Sequence, residues 1–362
     1  MKDTVVRGFI PDNYNRDFYP HENVRFAYSA TAKEPQFQYG LNRLWVTCPA
    51  PKVLAFRNKW ETENVYCWGM MIPGPLSVYE ILADFNQARF ELTFSYFHGS
   101  ANNYEFPKVI FEFDLNGENN ILKRYLNFYR MKGYIDDNKQ MANWWSKPIF
   151  CTWGEQEYRE RSWDFTNNPL TKDTLLDWVN HLETKTGVCD FNIIVDLPWF
   201  EEIGDYSANK KRFGSTTDFR EVIEQLKNKS HRIILWYTPF WVSPNATIVK
   251  THPEYLLRDY EGDFSKIPNT EIFDYLYALD ITKPEVKEHI KGTLRYILSE
   301  SPDCLNADGM KIDMNYFGPL AGKDVLADYS WGIGDLLWYN TVKFIYQTAS
   351  IFKPDVFLTL SG

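Results

Sequence analysis

Three polar side chains share one face of a short strand predicted within residues 308–315. Lys311, Asp313 and Asn315 alternate with apolar residues. Because a strand has a side-chain period of two, all three point the same way. A lysine and a carboxylate on a buried face cost free energy unless they are solvated, paired or used in chemistry. The pattern therefore predicts either a salt bridge on an edge strand or a reactive group at a strand end.

Further polar and aromatic residues stand at the ends of the neighbouring predicted strands. They are Trp153, Asp196, Trp199 and Trp236. The carboxyl ends of parallel strands meet at one mouth, where barrel enzymes carry their active sites. Carboxylates and lysine suit sugar hydroxyls, aromatic rings suit sugar faces, and a glycosidic carbon suits a carboxylate nucleophile. Each tryptophan also fits core packing, Asp196 also fits a turn cap, and Lys311 also fits charge compensation of Asp313.

From about residue 147 the chain alternates between predicted strands and helices. Predicted strands cover 148–154, 191–196, 232–237, 311–313 and 356–360, and predicted helices cover 171–186, 217–229, 284–299 and 331–350. Thr217 is predicted to begin the second helix, and Thr282 to open a capping box before the third. Nearly continuous apolar strands between helices indicate a parallel sheet buried on both faces.

The part before this alternation has a different pattern. Short apolar runs at 37–39, 43–46, 52–56, 90–96 and 109–113 are separated by turn residues, which predicts β-structure of the sandwich type. A helix is predicted at 120–133. We therefore expect a β-sandwich-like domain at 1–133, a connector at 134–146, and an α/β domain at 147–362.

Five strand–helix units are too few for a closed barrel. An eight-stranded barrel needs three more units, yet the given sequence stops after the fifth predicted strand. The alternatives are an open doubly wound sheet and the first part of a longer (β/α)8 TIM barrel. We favour the incomplete barrel.

Composition narrows the possible partners. The chain has 362 residues and a formal charge of −9, which disfavours nucleic-acid binding through phosphates. No apolar stretch predicts a signal peptide or a membrane span. Five widely spaced cysteines indicate free thiols in a reducing compartment, so a cytoplasmic location is expected. Aromatic residues make up 17% of the chain, which is compatible with sugar recognition but not specific for it.

Several segments together resemble the retaining α-glycosidases of glycoside hydrolase family 31. They are residues 144–153, 195–196, 204–205, 236–240, 279–286 and 311–313. Residues 241–245, followed by 252–254, also look like family 36 of the same clan, which is rich in α-galactosidases. The order and spacing of the segments make the resemblance specific to residues 144–362.

The resemblance implies a β-sandwich before a TIM barrel and a site that needs no metal or organic cofactor. It implies that Asp313 is the catalytic nucleophile and that Lys311, Asp196 and Trp236 line the sugar subsite. In these families an aspartate after the sixth strand is the general acid/base, which lies beyond the given sequence. We therefore expect the 362 residues alone to be inactive.

Three functions remain open from the sequence. The first is a retaining exo-α-glycosidase that acts on terminal α-galactosides, α-glucosides or α-xylosides through a glycosyl-aspartate intermediate. The second is a non-catalytic carbohydrate-binding remnant of the same fold. The third is a metal-dependent barrel enzyme, which the single carboxylate at the fourth strand and the absence of a nearby histidine disfavour. The oligomeric state is not predicted.

Overall fold

A computed structural model describes most of the second half of the chain in full. The described residues are 109–116, 119–133, 135, 141–160, 167–268, 275–314, 324–332 and 335–360, together with the backbone of eight strands before residue 109. The chain divides into two compact units, which are Met1–Gln140 and Met141–Asn315 with smaller later segments added to each.

The first unit contains two sheets and a helix. The strands are β1 (Thr4–Phe9), β2 (Arg16–Phe18), β3 (Val24–Ala27), β4 (Trp45–Thr47), β5 (Val53–Asn58), β6 (Tyr66–Met71), β7 (Tyr79–Asp84), β8 (Glu91–Tyr96) and β9 (Ile110–Asn116). One sheet has the order β2-β1-β5-β6-β9 and the other β4-β3-β7-β8. Helix α1 (Asn119–Met131) lies against β5, β6 and β9. The face-to-face packing of a sandwich stays a prediction, and the strand predicted at 37–39 falls outside the described residues.

The second unit is built on five parallel strands in sequential order. They are β10 (Ile149–Cys151), β11 (Asn192–Val195), β14 (Arg232–Tyr237), β19 (Gly309–Ile312) and β21 (Phe357–Leu360). A doubly wound sheet reverses its strand order at a switch point, whereas a barrel adds each strand beside the previous one. The order β10-β11-β14-β19-β21 is therefore that of a half-barrel.

Helices connect these strands. They are α2 (Thr152–Glu160), α3 (Lys172–Thr186), α5 (Thr216–Asn228), α7 (Pro284–Leu298) and α8 (Asp335–Phe352). Apolar residues recur at helical spacing on α5 and α7 and are buried, for example Phe219, Ile223 and Leu294. These helix faces cover the sheet and exclude water from it.

Shorter elements follow the carboxyl ends of β11 and β14. A hairpin of β12 (Phe200–Glu202) and β13 (Asp205–Ala208) precedes α4 (Lys210–Phe213). The described part of the long insertion after β14 contains β15 (Trp241–Val242), α6 (Thr247–Thr251), β16 (Arg258–Asp259), β17 (Lys266–Pro268) and β18 (Tyr275–Ala278). A later strand, β20 (Asp324–Val325), pairs with β16. Among the helices that the structure describes, none is long and apolar enough to cross a membrane.

The helix boundaries confirm some predictions and correct others. Helix α3 lies within the predicted range 171–186; Thr171 caps its start, and Gly187, whose φ of 71° favours glycine, follows its end. Helix α5 begins one residue earlier than predicted because Ser215, not Thr217, accepts the amide of Asp218.

The predicted capping box at Thr282 is wrong. Helix α7 follows Lys283, which makes no side-chain cap, although Pro284 stands in the first turn as predicted. The Thr282 hydroxyl instead donates to Asp280 Oδ1 at 2.6 Å and accepts the amide of Asp328. A buried aspartate two residues away thus competes successfully for the hydroxyl that the cap would use.

A short 3₁₀ turn, Asn143–Ser146, lies at the amino-terminal ends of the barrel strands. The indole N–H of Trp144 donates to Asp355 Oδ2 at 3.0 Å, and that of Trp145 donates to the Asp355 carbonyl at 3.1 Å. The Trp144 ring also lies 5.7 Å from the ring of Phe357 at the start of β21. The chain just before β10 thereby contacts the start of the fifth strand.

Replacing Gly309 with Ala should destabilise the half-barrel by about 1–3 kcal/mol, because overpacking forces the backbone to shift. A Cβ at this position would collide with the carbonyl oxygen of Phe357, on the neighbouring strand. Gly292 in α7 has open space around it, so Gly292→Ala is expected to raise the free energy of unfolding by about 0.5–1 kcal/mol. Denaturant unfolding of both variants checks this, and equal effects of the two changes would contradict it.

Candidate active site

Asp313 directly follows β19, at the carboxyl end of the central strands. Its backbone N–H donates to the Tyr237 carbonyl at 2.9 Å, which fixes it beside the end of β14. Its carboxylate accepts the Met314 amide at Oδ1 (2.7 Å) and the Trp236 indole N–H at Oδ2 (2.8 Å). The side chain is 20% exposed, so one charged group in this buried sheet is reachable from solvent.

Lys311 joins Asp313 to Asp196 on the second strand. Its Nζ lies 2.7 Å from Asp196 Oδ2 and 3.3 Å from Asp313 Oδ2. Lys311 is the register partner of Trp236 across the β14–β19 ladder, which explains why both side chains reach Asp313. The structure therefore brings together four residues that the sequence placed at three different strand ends.

The charges of this cluster depend on each other. Burial alone would lower the pKa of Lys311, but the carboxylates of Asp196 and Asp313 outweigh it and hold this pKa above its ordinary value. Burial raises the pKa of Asp196, and the Lys311 ammonium opposes that rise. Asp196 is only 1% exposed, so its charge is tolerable in the interior only with the lysine beside it.

The remaining predicted site residues have different positions. Trp199 is fully buried, donates from its indole to the Trp236 carbonyl and packs on Phe200 and Phe219. A ring with no exposed face cannot stack on a sugar, so the interpretation of Trp199 as a platform does not fit this structure. Trp236 is also fully buried and meets the cluster through its indole N–H.

Trp153 and Asn315 are the other two predicted site residues. Trp153 was expected at a strand end, but β10 stops at Cys151 and Trp153 lies half-buried in the first turn of α2. The Thr152 hydroxyl donates to Gln156 Oε1 one turn later in this helix, at 2.7 Å. Asn315 falls outside the described residues, so its predicted place in the row with Lys311 and Asp313 stays a prediction.

The sequence reasoning missed three residues around this cluster. The Cys151 thiol donates to Asp196 Oδ2 at 3.6 Å, the Thr152 hydroxyl accepts the Asp196 amide at 2.9 Å, and the Trp241 indole donates to the Met314 carbonyl at 3.3 Å. Cys151 ends the first barrel strand, so the strand-end rule could have found it. Thr152 and Trp241 carried no comparable signal.

Cys151 should react with alkylating reagents much more slowly than the exposed Cys189. Burial and the nearby Asp196 carboxylate raise the pKa of Cys151 to about 11. At pH 8 only about one Cys151 in a thousand would be a thiolate, the form that reacts. Labelling with iodoacetamide, followed by peptide mass spectrometry, should show Cys151 modification rising from pH 8 to 10. Equal labelling of both cysteines at pH 8 would contradict this expectation.

Among the described residues, no three His, Cys, Asp or Glu side chains are grouped as metal ligands. The cluster itself contains two carboxylates and one ammonium, with a thiol and an indole as hydrogen-bond donors. Such a set can bind hydroxyl groups and can present one carboxylate to an electrophilic carbon.

Comparisons with known proteins point to one family. A family model described as Melibiase matches residues 103–317. The bifunctional alpha-galactosidase/sucrose kinase AgaSK of Mediterraneibacter gnavus is 23% identical over 299 residues, which are 77% of this chain and 29% of that protein. Alpha-galactosidase 2 of Hypocrea jecorina is 26% identical over 219 residues, which are 56% of this chain and 26% of that protein.

Solved structures show the same likeness. TtGalA, an alpha-galactosidase from Thermus thermophilus in complex with p-nitrophenyl alpha-D-galactopyranoside, has a TM-score of 0.64 at 16% identity, covering 99% of this chain and 62% of that chain. The GH36 alpha-galactosidase AgaA from Geobacillus stearothermophilus has a TM-score of 0.63 at 12% identity, covering 100% and 48%. At these identities the likeness shows the fold. The chain spans less than a third of the curated relatives it matches.

Proposed function

Because the chain belongs to the melibiase family, we propose that it carries the nucleophile of a retaining exo-α-glycosidase that acts on terminal α-galactosides. The named relatives are alpha-galactosidases, which agrees with the predicted class of glycoside hydrolase. The matches support the melibiase side of the clan and do not support family 31, which the motifs first suggested. Alpha-glucosides and α-xylosides are the competing substrates.

The placement of Asp313 is the observation that carries the proposal. It is the partly exposed carboxylate of the cluster, and two donors, Trp236 Nε1 and the Met314 amide, fix its orientation. A third donor, the positively charged Lys311 Nζ, lies 3.3 Å from Asp313 Oδ2. A carboxylate with a fixed orientation at the mouth of a half-barrel is what nucleophilic attack on a sugar requires.

The chemistry proposed for Asp313 has two steps. One carboxylate oxygen forms a bond to the anomeric carbon while the bond from that carbon to the leaving oxygen breaks, and the leaving oxygen takes a proton from a general acid. Water then attacks the same carbon, gives up a proton to the conjugate base, and releases Asp313 as a carboxylate. Two inversions give net retention of the anomeric configuration.

Asp196 and Lys311 are assigned to substrate binding. Both carboxylates lie within 3.3 Å of the same ammonium nitrogen, so they are close neighbours. Asp196 is nevertheless a poor general acid, because it is buried and its Oδ2 is committed to Lys311 at 2.7 Å. We assign the pair to hydroxyl recognition.

A substrate panel tests this proposal. The complete gene product is incubated with the p-nitrophenyl α-glycosides of galactose, glucose and xylose, and the first product anomer is identified by proton NMR. Hydrolysis of the galactoside with the α-anomer formed first is the expected result. Inverted product would remove the nucleophile role, and binding of galactose without any turnover would favour the non-catalytic sugar-binding alternative. A cytoplasmic location stays a prediction from the sequence.

A further inference from the structure

A network of buried, hydrogen-bonded polar groups contacts the backbone on both sides of the Asp196 side chain. The Thr152 hydroxyl accepts the Asp196 amide at 2.9 Å and donates to Gln156 Oε1 at 2.7 Å. Gln156 Nε2 in turn donates to the Leu197 carbonyl at 2.6 Å and to Asn168 Oδ1 at 3.0 Å. Thr152, Gln156 and Asn168 are all at least nine-tenths buried.

The end of this network that lies away from Asp196 is held by backbone groups and by Arg212. Asn168 Oδ1 also accepts the Leu170 amide at 3.0 Å. The carbonyl of Asn168 accepts Nη1 of Arg212, and the same Nη1 donates to the Leu170 carbonyl at 2.9 Å. Arg212 is itself buried, so the network ends at a charged group whose position is fixed by two carbonyl oxygens.

The network holds the backbone on both sides of the Asp196 carboxylate. Thr152 fixes the amide before the Asp196 side chain, and Gln156 fixes the carbonyl of Leu197 after it. Between these points the Asp196 carboxylate accepts the Leu197 amide at Oδ1 and Lys311 Nζ at Oδ2. A displacement of this peptide would therefore move the carboxylate relative to the ammonium.

We propose that Thr152 and Gln156 are positioning residues that hold Asp196 in register with Lys311 and thereby set the affinity of the site for sugar. The inference rests on the proposed role of Asp196 in hydroxyl recognition. Neither residue touches the reacting atoms. Their effect is expected on binding of the ground state, because Asp313 is oriented separately by Trp236 and Met314.

Two variants of Thr152 test this proposal. Thr152→Val removes the hydroxyl and keeps the shape, whereas Thr152→Ser restores the hydroxyl. With p-nitrophenyl α-D-galactopyranoside, Thr152→Val in the complete gene product should raise KM about tenfold, since the buried Asp196 amide loses its acceptor. Turnover should change by no more than about threefold, as expected for loss of uniform binding. Thr152→Ser should behave as wild type.

Thr348→Val is the matched control. Thr348 is also buried, but on α8, away from the cluster residues described above. A merely structural loss would lower the melting temperature in both valine variants and leave KM unchanged in both. That result would overturn the proposal.

A second measurement separates this proposal from the proposed function. A crystal structure of Thr152→Val should show the Asp196 carboxylate displaced from Lys311, and an unmoved carboxylate would refute the positioning role whatever the activity. If the wild type neither hydrolyses the galactoside nor binds galactose, the proposed function fails. The position of the Asp196 carboxylate in Thr152→Val still decides whether the network positions it.

Discussion

Asp313→Asn is expected to lower turnover of an α-galactoside by about ten-thousandfold or more, as removal of a nucleophile does in enzymes that act through a covalent intermediate. An amide has nearly the same size as the carboxylate but cannot form the glycosyl ester. Its oxygen can still accept the Trp236 indole or the Met314 amide. The variant should therefore fold normally, and sugar binding should change far less than turnover. Steady-state kinetics and calorimetry on the complete gene product make the two measurements.

Asp303→Asn serves as the control for this change. Asp303 is an exposed partner of Arg295, outside the cluster, and its loss should leave turnover unchanged. Appreciable turnover by Asp313→Asn, beyond contamination with wild-type protein, would exclude Asp313 as the nucleophile. A large fall in melting temperature of this variant would instead indicate that Asp313 has a structural role with Lys311.

Lys311→Met is expected to destabilise the protein by about 3–5 kcal/mol, the usual cost of leaving one partner of a buried ion pair uncompensated. The reason is Asp196, which is 1% exposed and has Lys311 Nζ at 2.7 Å. Without the ammonium, burial and the nearby Asp313 charge are no longer opposed by it, so the pKa of Asp196 rises further. Turnover should also fall, because the change removes the positive charge that lies 3.3 Å from the Asp313 carboxylate. Denaturant unfolding measures the first effect.

The sign of the pH dependence identifies the cause. A carboxyl whose folded pKa is raised above the unfolded value of about 3.9 favours folding when protonated, and that contribution is lost as pH rises through the folded pKa. Lys311→Met should therefore recover stability as the pH falls through the folded pKa of Asp196 towards 4. Stability that falls over the same interval would contradict this assignment.

A double variant provides the rescue. Asp196→Leu combined with Lys311→Met replaces the ion pair with apolar groups, which is often neutral or stabilising, so stability should return while activity stays low. Lys291→Met is the control, since Lys291 pairs with Glu288 at the surface and surface pairs contribute little. If the double variant were no more stable than Lys311→Met, an unpaired Asp196 would not be the source of the loss.

The sheet and the central pair could be predicted because their signals are local. The apolar run at 232–237 and the alternation around Lys311 both predict strands, and helices between the strands predict a parallel sheet. The strand order itself left a doubly wound sheet and a barrel as alternatives. Once a half-barrel is assumed, Asp196 and Asp313 must meet at one mouth. This is why four of the proposed site residues lie together in the structure.

Other features depended on competition that sequence cannot settle. Trp199 at a strand end fits a sugar platform and a core equally well, and only the packing of Phe200 and Phe219 around it decides for the core. Thr282 had the pattern of a cap, but the Asp280 carboxylate took its hydroxyl. The network of Thr152 and Gln156 joins residues about forty positions from Asp196 and has no periodic signature.

The two tryptophans of the turn at residues 143–146 connect the segment before β10 with the segment before β21. Four gaps between five flat strands would separate β10 from β21 by about 19 Å. The Cα atoms of Trp145 and Ile149 can lie at most about 14 Å apart, and the indoles of Trp144 and Trp145 both donate to Asp355, just before β21. These two hydrogen bonds hold the segment before β10 close to the start of β21, which favours a curved sheet over a flat one. The segment before the first strand and the start of the fifth strand are thus joined by two indoles at the end of the sheet opposite to Asp196, Lys311 and Asp313.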